Sequence, residues 1–290
     1  MRRLAEEISG QSSRKTSINN KLNDLNGKEW LQFSRSWWFQ TGLGKEHPDT
    51  SIEAKHPAPF SFKDVQKLIR QFTKPGMTVL DPFCGVGSTL KAAALSGRNG
   101  IGIDVSTRWC RLAKERIDQE IPNQITAKLS LKVIRGDSAV VLKKMEQNSI
   151  DFIVTSPPYW NILTKNPDHK VQEERVEKGL LTRYSSSPND LGNIEKYSFY
   201  LKRLTRIVML SKRVLKPDSY MVLIVSDFRH GSDFYPLHMH VLDIGIKSGL
   251  SLKGILILVQ SHKRLFPYGY PFDFVQNFHH QYGLIFKKSK

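Results

Sequence analysis

Alternating strand and helix signals constrain the fold of this chain more than any other feature. From about residue 60, short apolar runs alternate with segments whose apolar residues have helical spacing. The strand-like runs cover residues 77–80, 100–103, 131–134, 150–154, 220–225, 252–259 and 282–286, and the helical segments cover 62–72, 90–95, 107–117, 139–145, 197–214 and 238–248. Because parallel strands need crossover connections, which are usually helices, this alternation predicts an α/β fold with a doubly wound, mostly parallel sheet of seven strands.

The net charge indicates the kind of partner that the chain has. Its 290 residues include 44 Lys and Arg against 27 Asp and Glu, a formal charge of +17. An excess of this size is not needed for folding. It favours a polyanionic partner, nucleic acid first and an anionic membrane surface second, over a merely soluble basic protein.

Three further features concern the compartment. Only Cys84 and Cys110 are present, so a disulfide framework is not expected. The basic N-terminus lacks the apolar stretch of a secretory signal, and the longest apolar runs are too short to span a bilayer. We therefore expect a cytoplasmic protein without a membrane partner.

Two regions depart from the alternation. Residues 1–55 are expected to form a partly ordered N-terminal arm, in which Trp37 and Trp38 anchor the arm by packing rather than serve as a platform for bases. Residues 161–195 form a long polar insertion of mixed charge, and an insertion of this length is usually functional or mobile. The main domain is expected to span residues 56–290.

A glycine-rich loop follows the first strand of this domain. In D-P-F-C-G-V-G-S-T (81–89), Gly85 and Gly87 let the backbone approach a ligand, and the next helix presents free N–H groups. The pattern is neither a dinucleotide fingerprint nor a P-loop. Asp81 at the strand end favours a ligand with positive charge or hydroxyls over a phosphate, and the sulfonium and amino groups of S-adenosylmethionine fit that description.

The next two strands also end in acidic residues. Asp104 ends G-I-G-I-D, at the offset where an acidic residue accepts hydrogen bonds from both hydroxyls of a ribose. Asp137 ends the third strand and is placed to accept from an adenine amino group. The alternative is that these aspartates only cap helices, and it has most weight for Asp137.

The fourth strand ends in the elbow T-S-P-P-Y-W (155–160). Two prolines fix the backbone, so the Ser156 hydroxyl and the Pro157 carbonyl can point outward as acceptors without loop entropy to lose on binding. Tyr159 then supplies a flat face for stacking. Two acceptors beside an aromatic ring suit the exocyclic amino group of a planar base, which must be flipped out of a duplex to reach them. The alternative is an ordinary rigid loop with a surface tyrosine.

D-P-F-C-G-V-G-S-T and T-S-P-P-Y-W together resemble the amino-methylating DNA methyltransferases, and most closely those that act on cytosine N4. The resemblance covers residues 56–288. H-P-A-P-F (56–60) is similar to the segment that helps close the family's methionine site, and Y-G-L-I-F-K-K is similar to its last strand. Within the family, an elbow that begins with Ser is associated with cytosine N4, and one that begins with Asp or Asn is more often associated with adenine N6.

This resemblance implies a Rossmann-like class I methyltransferase fold with an antiparallel last strand, the cofactor S-adenosyl-L-methionine and a double-stranded DNA substrate. The implied catalytic residues are Ser156, Pro157, Pro158 and Tyr159. The implied cofactor-binding residues are His56, Pro59, Phe60, Asp81, Pro82, Phe83, Gly85, Gly87, Ser88, Thr89, Asp104, Val105, Asp137 and Ser138. The chain departs from many relatives in having the cofactor loop before the elbow and in lacking a large separate target-recognition domain.

The chemistry expected at this site is direct in-line methyl transfer. Acceptors on both amino hydrogens favour a pyramidal nitrogen. Alignment of that nitrogen with the methyl donor supplies most of the remaining rate enhancement. Methylation at cytosine C5 would need a thiolate nucleophile. Cys84 lies in the cofactor loop and Cys110 on a helix, so we exclude that chemistry.

Three loops are expected to reach the nucleic acid, near residues 161–195, 227–240 and 260–280. Their candidate phosphate contacts are Lys165, Lys170, Arg229, Lys263 and Arg264, with a solvated basic surface as the alternative for each residue. The nine histidines show no metal-ligand spacing, so no metal is expected.

The favoured interpretation is an N4-cytosine DNA methyltransferase of a restriction–modification pair, with a cognate restriction endonuclease that acts separately. Adenine N6 in DNA and cytidine N4 in RNA are the rivals with the same chemistry. A non-catalytic nucleic-acid-binding protein is the rival from another class. A small-molecule amine methyltransferase would not need a charge of +17.

Overall fold

An eight-stranded sheet organises the protein. The computed structural model describes residues 20–40, 50–53, 55–56, 61–161, 185, 187–261 and 263–290. The strands of the sheet are β1 (Trp37–Phe39), β2 (Thr78–Asp81), β3 (Asn99–Asp104), β4 (Leu131–Arg135), β5 (Ile150–Thr155), β6 (Leu215–Val225), β9 (Ser251–Val259) and β10 (His280–Lys287). A separate hairpin contains β7 (Phe228–His230) and β8 (Asp233–Tyr235).

The strand order is β1-β9-β10-β6-β5-β2-β3-β4. Strands β4, β3, β2, β5 and β6 are parallel to one another, β10 is antiparallel to both β6 and β9, and β1 is parallel to β9. The α/β fold with an antiparallel last strand is therefore confirmed. The expected count of seven strands is wrong, because Trp37–Phe39 in the expected arm pairs with Ile257–Val259. A strand of three residues is too short for its alternation to be recognised.

Helices lie on both faces of the sheet and account for the alternating signals. They are α1 (Gly27–Phe33), α2 (Thr50–Glu53), α3 (Phe62–Phe72), α4 (Ser88–Leu95), α5 (Thr107–Glu120), α6 (Asn123–Thr126), α7 (Ser138–Lys144), α8 (Tyr197–Val214) and α9 (Leu237–Lys247), with a 3-10 turn at Leu191–Asn193. No helix among these described segments is both long and apolar enough to cross a membrane.

Two hydrophobic clusters fill the space between the sheet and its helices. Because successive strand residues face opposite sides, Leu80 and Ile153 belong to the cluster under α7, α8 and α9, whereas Val79 and Phe152 belong to the cluster under α3 and α4. Trp38 packs against the second cluster, as an anchoring residue would, whereas Trp37 is 48% exposed, so only one of the two expected anchors is packed. Each strand of the centre of the sheet is therefore covered on both sides, which explains its nearly continuous apolar sequence.

The topology determines where a ligand can bind. The chain proceeds from β2 outward to β4 and then returns to β5 on the other side of β2, so the direction of strand order reverses between β2 and β5. Ligands in doubly wound sheets bind at the carboxyl ends of the strands beside such a switch point. Asp81 ends β2 and Thr155 ends β5 at this point.

Candidate functional site

The glycine-rich loop forms a tight turn between β2 and α4. Gly85 has φ of 48° and Gly87, which caps α4, has φ of 80°. A Cβ atom at Gly87 would lie 3.0 Å from the Ala113 Cβ, and one at Gly85 would lie 3.1 Å from the His56 Nε2. Both positions therefore need glycine for conformation and for space. The close approach also places His56 against the loop, while its role towards the cofactor stays a prediction.

Asp81 joins this loop to the elbow. Its carboxylate is buried, and Oδ1 accepts hydrogen bonds from the Phe83 amide at 2.9 Å and the Thr155 hydroxyl at 2.5 Å. Its Oδ2 accepts from the Thr89 hydroxyl at 2.5 Å. Burial raises the pKa of Asp81, and these hydrogen bonds oppose that shift. Asp81 thus holds α4 and the end of β5 in fixed positions relative to each other.

Asp104 supports the loop from the neighbouring strand. Its Oδ2 accepts from the Gly85 amide at 3.0 Å and its Oδ1 from the Ser106 amide at 2.8 Å. Burial raises the pKa of Asp104 to about 7. Each oxygen keeps a lone pair that could accept a ligand hydroxyl, and the partly exposed Val105 lies next to it in the chain.

Asp137 has two structural partners. Its Oδ1 accepts from the Ala139 and Val140 amides and so caps α7, while its Oδ2 accepts from the Arg203 Nη2 at 2.7 Å. The geometry favours the helix-capping alternative for Asp137. The hydroxyl of Ser138 donates to the Pro82 carbonyl at 2.6 Å and fastens the loop to α7.

A buried ionic network lies behind the loop. Arg116 is fully buried and donates to the Ser88 hydroxyl at 2.9 Å and to the carboxylates of Glu53 and Glu120. Lys91 donates to the same Glu120 carboxylate. The network supports the start of α4. Its members are spread over α2, α4 and α5, so no local pattern in the sequence predicts it.

The remaining residues assigned to the cofactor are not all described. The partly buried Phe83 packs on the first hydrophobic cluster. Pro59 and Phe60 lie outside the described residues, so their assignment stays a prediction.

The elbow follows β5 directly, with Pro157 buried and Pro158 half-buried. The Tyr159 Oη accepts from the Gln281 Nε2 at 3.0 Å and also forms hydrogen bonds with the Ser156 side chain and the Ser226 backbone. Burial raises the pKa of Tyr159, while these three partners lower it. If the Ser156 hydrogen points to the tyrosine oxygen, the lone pairs of Ser156 face the other way and can accept from a ligand.

Trp160 anchors the elbow beneath its surface. Its indole Nε1 donates to the Glu195 carbonyl at 3.1 Å, and its ring contacts those of Tyr197, His230 and Tyr235 with centroids 4.7–5.3 Å apart. No role was expected for Trp160 from the sequence. Its place directly after a rigid turn is the feature of the sequence that could have indicated an anchoring aromatic residue.

A second polar pair lies beside the elbow. Asp227 is buried just after β6, and its Oδ1 accepts from the backbone amide of His238 at 3.1 Å and lies 2.7 Å from the His238 Nδ1. Because a carboxylate can only accept, Nδ1 carries a proton and Nε2 is left as the acceptor. The His238 ring stacks on Tyr282 at 4.0 Å. Sequence reasoning placed S-D-F only in a DNA-contacting loop.

Two of the three expected DNA-contacting loops meet at this edge. Phe234 of the β7–β8 hairpin stacks on Phe278 of the β9–β10 loop at 5.7 Å. Arg229 lies on the hairpin, and Lys263 and Arg264 begin the β9–β10 loop. Burial lowers the pKa of Lys263, whose Nζ donates to the Phe278 carbonyl. Lys165 and Lys170 lie outside the described residues.

Neither cysteine is suited to nucleophilic chemistry. Both Cys84 and Cys110 are buried. Burial raises the pKa of Cys84 well above its ordinary value and that of Cys110 to about 11. Across the described part of the chain, no three His, Cys, Asp or Glu side chains are grouped so as to hold a metal ion.

Comparison with known proteins gives partial matches. The model of a DNA methylase family matches residues 5–115, which include the glycine-rich loop. The orphan methyltransferase M.BamHII of Bacillus amyloliquefaciens is 38% identical over 85 residues, 29% of this chain and 32% of that protein. The type II methyltransferase M.MthZI of Methanothermobacter thermautotrophicus is 32% identical over 124 residues, 41% of this chain and 33% of that protein.

These matches therefore span about a third of the length of the relatives. Among solved structures, a DNA modification methylase of Thermus thermophilus, TTHA0409, complexed with S-adenosyl-L-methionine, is 26% identical and covers 53% of this chain and 54% of that one with a TM-score of 0.37. The strand order, and not this likeness, defines the fold. These matches support the family predicted from the two motifs, and they do not separate cytosine N4 from adenine N6.

Proposed function

We propose that this chain, a relative of the amino-methylating DNA methyltransferases, transfers a methyl group from S-adenosyl-L-methionine to the exocyclic N4 amino group of a flipped cytosine in double-stranded DNA. One observation carries the proposal. Asp81 accepts hydrogen bonds from Thr89, at the start of α4, and from Thr155, directly before Ser156. A single buried carboxylate therefore couples the loop suited to a cofactor with the elbow suited to a base.

The residues of the loop fit the cofactor. The Asp104 carboxylate matches the two hydroxyls of a ribose, and the positive φ of Gly85 and Gly87 forms the tight turn that carries the loop. When bound, S-adenosyl-L-methionine supplies a methyl group activated by its positively charged sulfur. The acidic groups around the loop favour that positive charge.

The elbow orients the acceptor. The Ser156 hydroxyl and the Pro157 carbonyl would accept the two hydrogens of an amino group, while Tyr159 would stack on the ring of the base. Gln281 holds the tyrosine from the opposite side, so little freedom of the ring has to be lost on binding. The serine at the first elbow position supports cytosine N4 as the target, by resemblance to the family.

Methylation leaves one proton to be removed from the amino nitrogen. The Nε2 of His238 is the acceptor that we assign to it. Asp227 keeps the opposite ring nitrogen protonated and stabilises the imidazolium that forms when Nε2 accepts the proton. The high pKa values of Cys84 and Cys110 support direct transfer over a route that needs a thiolate.

The match to a type II methyltransferase supports a DNA-modifying role, and we assign the chain to the protective half of a restriction–modification pair. A separately acting endonuclease that recognises the same sequence would be the partner. Cleavage of host DNA by that nuclease, after loss of this chain, would test the assignment.

The decisive experiment is incubation of the purified protein with labelled S-adenosyl-L-methionine and mixed-sequence duplex DNA, followed by nucleoside mass spectrometry. We expect N4-methylcytosine from the wild type and roughly a hundredfold less from Ser156→Ala, the size of effect that a group positioned on the reacting atom supplies. Ser149→Ala is the matched control, because Ser149 is partly buried and its hydroxyl donates only to the nearby Glu146 carbonyl, before the start of β5.

Each alternative gives a different product in the same experiment. N6-methyladenine would keep the mechanism and overturn the assignment of cytosine. Methylated cytidine from RNA, but none from DNA, would overturn the substrate. Absence of any methylated nucleoside, with nucleic-acid binding retained, would support a non-catalytic binder.

A further inference from the structure

The loop between β9 and β10 exposes an unusual amount of aromatic surface. We call Tyr270, Phe272 and Phe274 the aromatic ridge, and their exposed fractions are 81%, 93% and 81%. Large apolar side chains that are this exposed, at alternate positions of one loop, are uncommon on a protein surface, and they mark sites of interaction. The ridge contributes nothing to either hydrophobic cluster of the sheet.

Hydrogen bonds within the loop prearrange the ridge. The Phe272 and Asp273 amides both donate to the Gly269 carbonyl at 2.7 Å, and Asn277 bonds both the amide and the carbonyl of Phe266. Gly269 has φ of 78°, and a Cβ atom there would overlap the Asp273 carbonyl oxygen. The aromatic side chains are therefore carried by a closed turn, so binding has little backbone freedom of the loop to remove.

The base of the loop adjoins the elbow. The strand β9 ends at Val259 and pairs there with His280 at the start of β10, on the same edge of the sheet as the end of β6. One residue further, Gln281 donates to Tyr159 of the elbow. Phe278 also stacks on the hairpin that carries Arg229. A duplex placed over the elbow would therefore lie within the region that this loop borders.

We propose that the aromatic ridge inserts into the base stack of the duplex beside the target nucleotide and so lowers the cost of flipping that nucleotide into the elbow. The inference rests on the proposed function and deepens it. Flipping a paired base has an unstacking cost, and apolar side chains that enter a base step offset such costs by stacking.

The charge of the chain favours DNA over a second copy of the protein as the occupant. Lys263 and Arg264 begin the loop, and Arg229 lies on the adjacent hairpin. A formal charge of +17 for the whole chain opposes self-association and favours a polyanion as the partner. The ridge would then contact bases while the basic side chains at its foot contact phosphates.

The test compares two substrates with the double variant Tyr270→Ala/Phe272→Ala. One duplex has its target base correctly paired, and in the other the same base is mispaired and already easy to flip. We expect the double variant to lose roughly tenfold in kcat/KM on the paired duplex and to stay within about twofold of wild type on the mispaired one, since only the first has to be opened. The fluorescence of 2-aminopurine at the target position should report correspondingly less flipping in the paired duplex.

Met209→Ala is the matched control, because Met209 is 55% exposed but lies on α8 away from this loop. It should match wild type on both substrates. An equal loss on the paired and mispaired duplexes, or no loss on either, would overturn the ridge assignment while leaving the methyltransferase intact. If the wild type forms a dimer and the double variant does not, the ridge mediates contact between two copies of the chain. That outcome would also overturn the proposal that the ridge enters the DNA. Failure of the wild type to methylate either duplex would instead remove the proposed function, and the inference with it.

Discussion

Gln281 on the last strand donates a hydrogen bond of 3.0 Å to the hydroxyl of Tyr159 in the elbow. The strand β6 lies between β5, from which the elbow emerges, and β10, which carries Gln281. The elbow therefore crosses the carboxyl end of β6, which explains why Ser226 and Asp227 are its neighbours. The position of this short motif therefore depends on three strands, β5, β6 and β10.

Replacement of Tyr159 should separate stacking from hydrogen bonding. Tyr159→Ala removes the ring, and because stacking on a base is worth about 1–3 kcal/mol, we expect kcat/KM to fall roughly ten- to a hundredfold. Tyr159→Phe keeps the ring and should retain most of the activity. Cofactor affinity, measured by calorimetry, should be nearly unchanged in both. Equal losses in the two variants would contradict a stacking role.

The Asp104 carboxyl predicts a pH dependence of cofactor binding. Its folded-state pKa is raised to about 7, so between about pH 4 and 7 the folded protein binds more protons at this group than the unfolded chain, and the unliganded protein loses stability as the pH rises. The ionised form accepts ribose hydroxyls best, and its population rises about tenfold from about pH 6 to pH 8. Affinity should therefore rise, and the melting temperature without cofactor should fall, as the pH increases towards this pKa.

Asp104→Asn is the control for this dependence, because the amide does not titrate. Its cofactor affinity should be weaker, and the part of the pH dependence that Asp104 contributes should be lost. A variant whose affinity changed with pH as steeply as that of the wild type would show that another group controls binding.

Asp137 should matter more for stability than for the cofactor. Asp137→Ala removes the cap of α7 and the ion pair to the half-exposed Arg203, which together are worth about 1–2 kcal/mol. Urea denaturation should show that loss in the free energy of unfolding, and cofactor affinity should change only slightly. If Asp137→Ala lost cofactor affinity while its free energy of unfolding stayed that of the wild type, Asp137 would again be assigned to the adenine amino group.

His238 should affect turnover rather than binding. If its Nε2 accepts the amino proton, His238→Ala should lower the single-turnover rate by roughly a hundredfold, the size typical of a positioned base. Asp227→Asn should lower the rate in the same direction, because the tautomer is no longer enforced. Unchanged cofactor affinity and unchanged DNA affinity serve as controls. If His238→Ala kept the full single-turnover rate, Asp227 and His238 would have only a structural role.

The salt dependence of DNA binding should identify phosphate contacts. Each contact contributes about 0.9 to the slope of log affinity against log salt concentration, so Arg264→Ala should reduce the magnitude of that slope by about one. Lys132→Ala is the control, since Lys132 is exposed near the start of β4, at the opposite edge of the sheet. Equal slopes for wild type and Arg264→Ala would place the phosphate contacts elsewhere.

Local patterns in the sequence predicted the strands, the glycine-rich loop and the elbow. The reason is that strand alternation, the need for glycine at positive φ and the rigidity of two prolines are each properties of a few neighbouring residues. The acidic strand ends follow from the same patterns, because all parallel strands end at one edge. The structure places Asp81, Asp104 and Ser156 at that edge, while their roles towards a ligand stay predictions.

Only the tertiary structure decided how those residues are used. Asp137 proved to cap α7 and to pair with Arg203, which lies 66 residues away, and Gln281 reaches Tyr159 across 122 residues. The strand at Trp37–Phe39 depends equally on its partner, Ile257–Val259. Distant side chains decide which carboxylate already has hydrogen-bond donors and which hydroxyl is fixed by a partner. No local pattern in the sequence encodes these distant side chains. The sequence by itself determined the edge at which the site lies, and the packing of distant strands decided which of its groups remain available to a ligand.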